Sequence, residues 1–316
     1  MTNVLVLMQM PEAMRKEIAE GIAAVFPDLK IDVVDHHSKV DPYIENAEIL
    51  ITYGPHMADH VLRDGRKIRW IQALTTGTDG IDDLPSLRRD VLLTSMHGTH
   101  GPPVSEAALC GMFVLSRHVA SAVRHQERKV WERQPARLLS GKTVGIFGVG
   151  AIGQALAPKC EGLGMTVIGI DPATRAAAGV GRMVTWELRA EVLPQLDFIV
   201  SLVPSTPQTK DMFDADFFAH AKHSAYFVNV GRGATVNDDA LLAALRSGKI
   251  AGAALDVFKV EPLPSDHPYW SMDNVFVTAH NAGLHDQSER SKLPILCENI
   301  RRYLAGNTSL INLVKH

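Results

Sequence analysis

Three polar residues of this chain stand where an apolar run gives way to a turn, and each has a side chain able to act on a small acid. Arg232 lies in Asn229-Val230-Gly231-Arg232-Gly233, after an apolar run. Its guanidinium can fork a carboxylate through two parallel N–H bonds. Glu261 stands on the proline-stiffened loop Glu261-Pro262-Leu263-Pro264, beyond a run that ends in Asp256. His280 closes the run 274–280. Each alone has a structural explanation: an ion pair, a solvated carboxylate, a packed imidazole. Their common position is informative, because side chains at the carboxyl ends of parallel strands line a ligand crevice.

All three follow a glycine-rich turn, Gly148-Val149-Gly150-Ala151-Ile152-Gly153. It comes directly after an apolar strand pattern at 143–147 and opens a helical pattern at 151–163, stopped by Gly164. A second strand pattern, 165–170, ends in Asp171. Gly148 allows the tight turn. Gly150 lets backbone N–H groups approach a pyrophosphate, and Gly153 lets the helix sit close to the strand. The helix N-terminus, at Ala151 and Ile152, offers unpaired N–H groups and a partial positive charge. Asp171 is placed to accept bonds from both ribose hydroxyls of an adenosine. A turn that only packs a helix on a sheet is the plainer alternative. Strand, turn, helix, strand and acid in this order supply the context the motif requires.

The elements that must position these residues form an α/β pattern. Short apolar runs alternate with amphipathic stretches, as in proteins with parallel sheets. In the first hundred residues the strand expectations are 4–8, 31–34, 48–52, 70–73 and 91–94, with a helix at 12–26. The segment His97-Gly98-Thr99-His100-Gly101-Pro102-Pro103 reads as a break between domains. A long apolar helix is expected at 104–118 and a further helix at 286–304, ending near Gly306. With 316 residues, of which 46% are hydrophobic, two domains are expected.

Composition removes several function classes. A net charge of −3 gives no general attraction to nucleic acid or to an anionic membrane. There is no G-x-S-x-G elbow and no G-x-x-x-x-G-K-[ST] loop, so hydrolase and P-loop readings lack their motifs. Histidines and cysteines show no tight metal-ligand spacing, and no metal is expected. Cys110, Cys160 and Cys297 are few, odd in number and far apart, which fits a reducing compartment. No basic leader and no run of eighteen apolar residues is found. A cytoplasmic protein is the expectation.

The motifs together resemble the D-isomer-specific 2-hydroxy acid dehydrogenases, a family that includes glyoxylate/hydroxypyruvate reductases. The resemblance is carried by 148–153, 229–233, Leu255-Asp256-Val257-Phe258, Glu261-Pro262, His267-Pro268-Tyr269-Trp270 and His280. It implies two doubly wound parallel-sheet domains, with a Rossmann cofactor domain (101–284) inserted into a flavodoxin-like substrate domain (1–100 and 285–316). By resemblance, Arg232 holds the substrate carboxylate, His280 exchanges the proton with the C2 oxygen, and Glu261 pairs with His280. Asp256 would hold the nicotinamide carboxamide. Val203, Pro204, Thr209, Val230 and Gly231 would line the dinucleotide cleft. Thr76 and Gly77, in Thr75-Thr76-Gly77-Thr78, would offer N–H groups to the carboxylate. NAD is the expected cofactor over NADP, a small 2-oxo or 2-hydroxy acid the substrate, and a homodimer the assembly, through the helix near Val104 and the arm through Trp131. The loop differs from the family's usual Ser-Ala-Gly or Gly-Ala-Gly, and Ala107 and Ala279 stand where histidine and proline or serine are frequent. The same trio is also compatible with an NAD-sensing, corepressor-like binding module.

Overall fold

The computed structural model describes residues 2–173 and 175–315. The chain divides into two compact units, one formed by residues 1–100 with 285–316, the other by residues 101–284.

The first unit opens with β1 (Asn3–Leu7), β2 (Lys30–Val34), β3 (Ile49–Thr52), β4 (Trp70–Ala73) and β5 (Leu92–Thr94). The second carries β6 (Thr143–Phe147), β7 (Thr166–Ile170), β8 (Arg182–Val184), β9 (Phe198–Ser201), β10 (Tyr226–Asn229), β11 (Gly252–Leu255) and β12 (Val275–Val277). The chain then returns to the first unit with the helix Ser288–Leu304 and the short β13 (Leu313–Val314).

In the first unit the strand order is β13-β5-β4-β3-β1-β2, and in the second β12-β11-β10-β9-β6-β7-β8. Both are doubly wound α/β arrangements, the second with the strand order of dinucleotide-binding sheets. The all-parallel expectation needs one correction: β13 pairs antiparallel with β5, Leu313 opposite Thr94. A two-residue edge strand carries no periodicity for a sequence reading to detect.

The strands are apolar on both faces because helices cover both. On β1, Val4 and Val6 enter one core while Leu5 and Leu7 enter the other. On β9, Ile199 packs with Phe213, Phe217 and Phe227, while Phe198 and Val200 pack with Val144 and Met112. Continuous apolar runs of this kind mark buried parallel sheets.

The first long helix of the second unit spans Gly101–Ser116, three residues earlier than its apolar pattern starts. Pro102 and Pro103 occupy the first turn, where a missing N–H breaks no intrahelical bond. His118, at φ 55°, turns the chain left-handed, and a second helix, Val119–Arg128, begins there. No element is expected from the sequence in that stretch. No helix among the described residues is long and apolar enough to cross a membrane.

Candidate active site

The catalytic candidates all follow the carboxyl ends of strands in the second unit. The glycine turn follows β6, and Gly148 has φ 95°. A Cβ there would lie 3.1 Å from the Leu202 carbonyl carbon. A Cβ on Gly153 would lie 2.4 Å from the Gly148 oxygen, so the helix Ala151–Gly162 can approach β6 only with glycine at that position. The space over Gly150 is open for 4 Å, and Gly150 is the N-cap, with no side chain capping the first turn. Ala151 and Ile152 therefore begin a helix whose first N–H groups have no intrahelical partner. This cradle, open at its middle glycine and closed at the others, suits the pyrophosphate of a dinucleotide.

Asp171 stands at the end of β7. Its Oδ2 accepts from Val149 N at 2.8 Å and its Oδ1 from Ala173 N at 2.9 Å. Each oxygen keeps a further lone pair, so ribose hydroxyls can still bond there. Val203 and Pro204 follow β9, where Thr209 Oγ1 donates to Pro204 O at 2.6 Å. Gly231 lies beside Val203, the oxygen of which would be 2.9 Å from a Cβ on Gly231. Val230 is buried next to it.

Arg232 begins a short 3-10 turn, Gly233–Thr235, after β10. The turn is set by Asn229, whose Oδ1 accepts from Gly231 N at 3.1 Å and whose Nδ2 donates to Arg232 O at 3.2 Å. In the sequence Asn229 stands out only as part of the motif around Arg232. Its signal was legible, since asparagine before glycine at a strand end bonds its own turn.

His280 has φ 50°, in the left-handed region. Such strain persists only when the surroundings over-determine it, and here Asp256 does so. His280 N donates to Asp256 O at 2.8 Å, while the Asp256 carboxylate accepts from Asn281 N and Ala282 N, each at 3.0 Å, and from Thr278 Oγ1 at 2.5 Å. A carboxylate has about four acceptor positions, so one is left for a carboxamide. Thr278 was not anticipated, since nothing local distinguishes it from any strand threonine.

The imidazole meets Glu261 across nineteen residues of chain: His280 Nδ1 and Glu261 Oε2 are 2.6 Å apart. Glu261 Oε1 accepts from Phe258 N at 2.8 Å, so both carboxylate oxygens are engaged. The bond to Glu261 is the largest influence on His280 and raises its pKa above the ordinary histidine value, against burial and the charge of Arg232. Burial pushes the Glu261 carboxyl up. The His280 bond, the Phe258 N–H and the charges of His280 and Arg232 outweigh it, and the net shift is downward. Arg232 is thus electrically in reach of both partners. The arrangement can hold an anion at Arg232 and move a proton at His280.

Thr76 and Gly77 lie in the first unit, after β4. Thr76 Oγ1 is 2.7 Å from His100 Nδ1, and Thr75 Oγ1 donates to Gly77 O at 2.6 Å. Among the described residues their own N–H groups find no protein acceptor. Also among the described residues, no group of three or more His, Cys, Asp or Glu is placed to hold a metal ion.

Residues 109–282 match the family model described as D-isomer specific 2-hydroxyacid dehydrogenase, NAD binding domain. The D-3-phosphoglycerate dehydrogenase of Methanocaldococcus jannaschii is 30% identical over 268 residues, covering 83% of this chain and 51% of that protein. The chain therefore spans about half the length of that relative. Among solved structures, a D-isomer specific 2-hydroxyacid dehydrogenase family protein of Aeromonas salmonicida is 33% identical with a TM-score of 0.90, covering 99% of this chain and 98% of the other. An NADPH-dependent glyoxylate/hydroxypyruvate reductase of Sinorhizobium meliloti, in complex with NADP and sulfate, is 26% identical with a TM-score of 0.86 over the same shares.

Proposed function

The chain belongs to the D-isomer-specific 2-hydroxyacid dehydrogenase family, and we propose that it transfers a hydride between NAD(H) and a small D-2-hydroxy acid, reducing 2-oxo acids of the size of glyoxylate or hydroxypyruvate. The observation that carries this is the 2.6 Å Glu261–His280 pair, built into the same unit as Arg232 and the glycine turn.

The nicotinamide, when bound, supplies or accepts the hydride. Arg232 holds the substrate carboxylate with its planar fork. Hydride arrival leaves negative charge on the C2 oxygen. His280, kept protonated by Glu261, gives its proton there; neutral His280 takes one back in oxidation. Residues 148–153, Asp171, Val203, Pro204, Thr209, Val230 and Gly231 would hold the dinucleotide, and Asp256 would accept from its carboxamide.

Preference for NAD(H) rests on Asp171, whose charge repels a 2′-phosphate. The Sinorhizobium protein is NADPH-dependent, and the ratio of kcat/KM with NADH to that with NADPH tests the preference. A homodimer is supported by exposed apolar residues along 113–138: Phe113, Val123, Leu138, and Trp131 at 91% exposure. A cytoplasmic setting accords with the free thiols of Cys110, Cys160 and Cys297. A net charge of −3 favours neither nucleic acid nor membrane as a partner.

The test is a panel of NADH and NADPH against glyoxylate, hydroxypyruvate, pyruvate, phenylpyruvate and 2-oxoisocaproate, with chiral analysis of the products. NADH oxidation with at least one acid, giving the D product, is expected. No turnover across the panel, or an L product, removes the reading. An equal or higher kcat/KM with NADPH removes the cofactor preference.

A further inference from the structure

The loops that follow β9, β10 and β11 are joined at a residue outside the expected chemistry. After β9 the chain turns through Thr206 and Thr209, where Thr206 N donates to Thr209 Oγ1 at 2.8 Å. It then reaches Asp211, at φ 53°, a left-handed conformation that aspartate tolerates better than most residues. From there Asp211 N donates to Ala234 O at 3.0 Å, two residues past Arg232. The Asp211 carboxylate accepts from Lys259 Nζ at 2.5 Å, two residues before Glu261. The loops after β10 and β11 also press together: a Cβ on Gly233 would fall 1.9 Å from the Phe258 carbonyl carbon. Beyond Glu261 the next ties are more distant in sequence, from Trp270 Nε1 to Pro264 O at 2.9 Å and from Tyr269 Oη to Asp238 Oδ1 at 3.2 Å.

We infer that the Asp211–Lys259 ion pair is a positioning clamp, which ties the loop of Glu261 to the loop expected to meet the dinucleotide and so holds Glu261 Oε2 on His280 Nδ1. The inference rests on the acid–base role proposed for Glu261 and His280. Asp211 and Lys259 act through Glu261. The pair is about one-third exposed, Lys259 at 32% and Asp211 at 34%, and an ion pair that did no more than decorate the surface would contribute close to nothing. That difference makes the clamp measurable.

Lys259→Met separates position from charge. The charged groups that act on His280 are Glu261, Arg232 and Asp256, and all three remain in this variant. Through space, losing a cation raises a histidine pKa or leaves it alone. Losing the clamp lets Glu261 leave the imidazole, which lowers it. The two effects have opposite signs. In Asp211→Asn they have the same sign, so that variant serves only as confirmation.

The experiment uses the full chain. The His280 ring is titrated by NMR, with its signals assigned by difference against His280→Gln, and the pH profile of 2-oxo acid reduction is recorded in parallel. In Lys259→Met the His280 midpoint should fall by ~0.5 pH unit, and kcat/KM on the alkaline limb should drop about threefold. KM for NADH should hold, and Lys259→Arg should restore both readings. An unchanged or raised His280 midpoint in Lys259→Met overturns the clamp, as does failure of arginine to restore it. If the wild-type chain turns over no 2-oxo acid, the proposed function falls, while the NMR midpoints still decide the clamp.

Discussion

Replacing Glu261 by Gln removes a charge and keeps a shape. The carboxylate now serves two donors, Phe258 N through Oε1 and His280 through Oε2. An amide has one acceptor oxygen, so one of the two donors loses its partner. Unit charges 4 Å apart interact by about 1 kcal/mol in water and about 4 kcal/mol at the effective dielectric of a protein surface region. His280 is 49% exposed and Glu261 34%, which puts the pair near the aqueous limit. An attraction of about 1–1.5 kcal/mol is the consequence, and that equals about one pH unit in the His280 pKa. The sign follows from the bond: Glu261 raises the His280 pKa, so Glu261→Gln lowers it. Reduction needs the imidazolium and is fast below this pKa. Its alkaline limb should therefore move to lower pH by about one unit, and above both midpoints the variant should be about tenfold slower than wild type. On the acid side the rates should converge. Oxidation, which needs neutral His280, should gain at low pH. Initial rates of NADH oxidation from pH 5 to 9 at saturating NADH measure this. An alkaline limb that stays in place in the variant would refute the reasoning, and Glu261 would then be a solvated loop residue.

Arg232→Lys keeps the charge and loses the fork, so KM for the 2-oxo acid should rise and kcat fall with NADH binding nearly unchanged; steady-state kinetics and an NADH fluorescence titration decide. His280→Ala should reduce turnover by roughly 10²–10⁴-fold, the worth of a missing acid–base group, and a variant with wild-type rates would end the assignment. Gly150→Ala places a methyl in open space, so it should weaken NADH binding while stability changes by about 0.5 kcal/mol or less. Gly153→Ala forces a methyl onto the Gly148 oxygen and should cost about 1–3 kcal/mol in denaturant titration; equal stability of the two variants would contradict the packing argument. In the first unit Lys292 and Glu289, 2% and 1% exposed, are bonded to each other at 3.0 Å, and both bond to the Tyr53 hydroxyl. Lys292→Met leaves a carboxylate buried without its cation and should destabilise the chain by about 3–5 kcal/mol; an unchanged unfolding midpoint would show that Glu289 does not need it.

Much of the fold was legible because its information is local. The strand Trp70–Ala73 falls at its apolar run, and β1, β2, β3 and β5 lie within one residue of theirs, since strands covered on both faces are continuous apolar segments. The glycine turn was legible through its local order of strand, turn, helix and strand, although only Gly153 answers to a neighbour in the turn itself, the Gly148 oxygen, while Gly148 meets the segment after β9 and Gly150 leaves its space open. Arg232 and His280 could be singled out as polar residues at the ends of apolar runs, and Glu261 as a carboxylate on the loop after one. Their joint geometry could not be read in this way. The bond between His280 and Glu261, the burial of Asp256 under Thr278, Asn281 and Ala282, and the reach of Asp211 across 48 residues to Lys259 are decided by which strands lie side by side. The same holds for β13, which has too few residues for a period and exists because β5 offers it an edge. Sequence sets what each segment can form from neighbouring residues. The distances between segments far apart in the chain are set by packing of the sheet as a whole, and the proton chemistry proposed here depends on those distances.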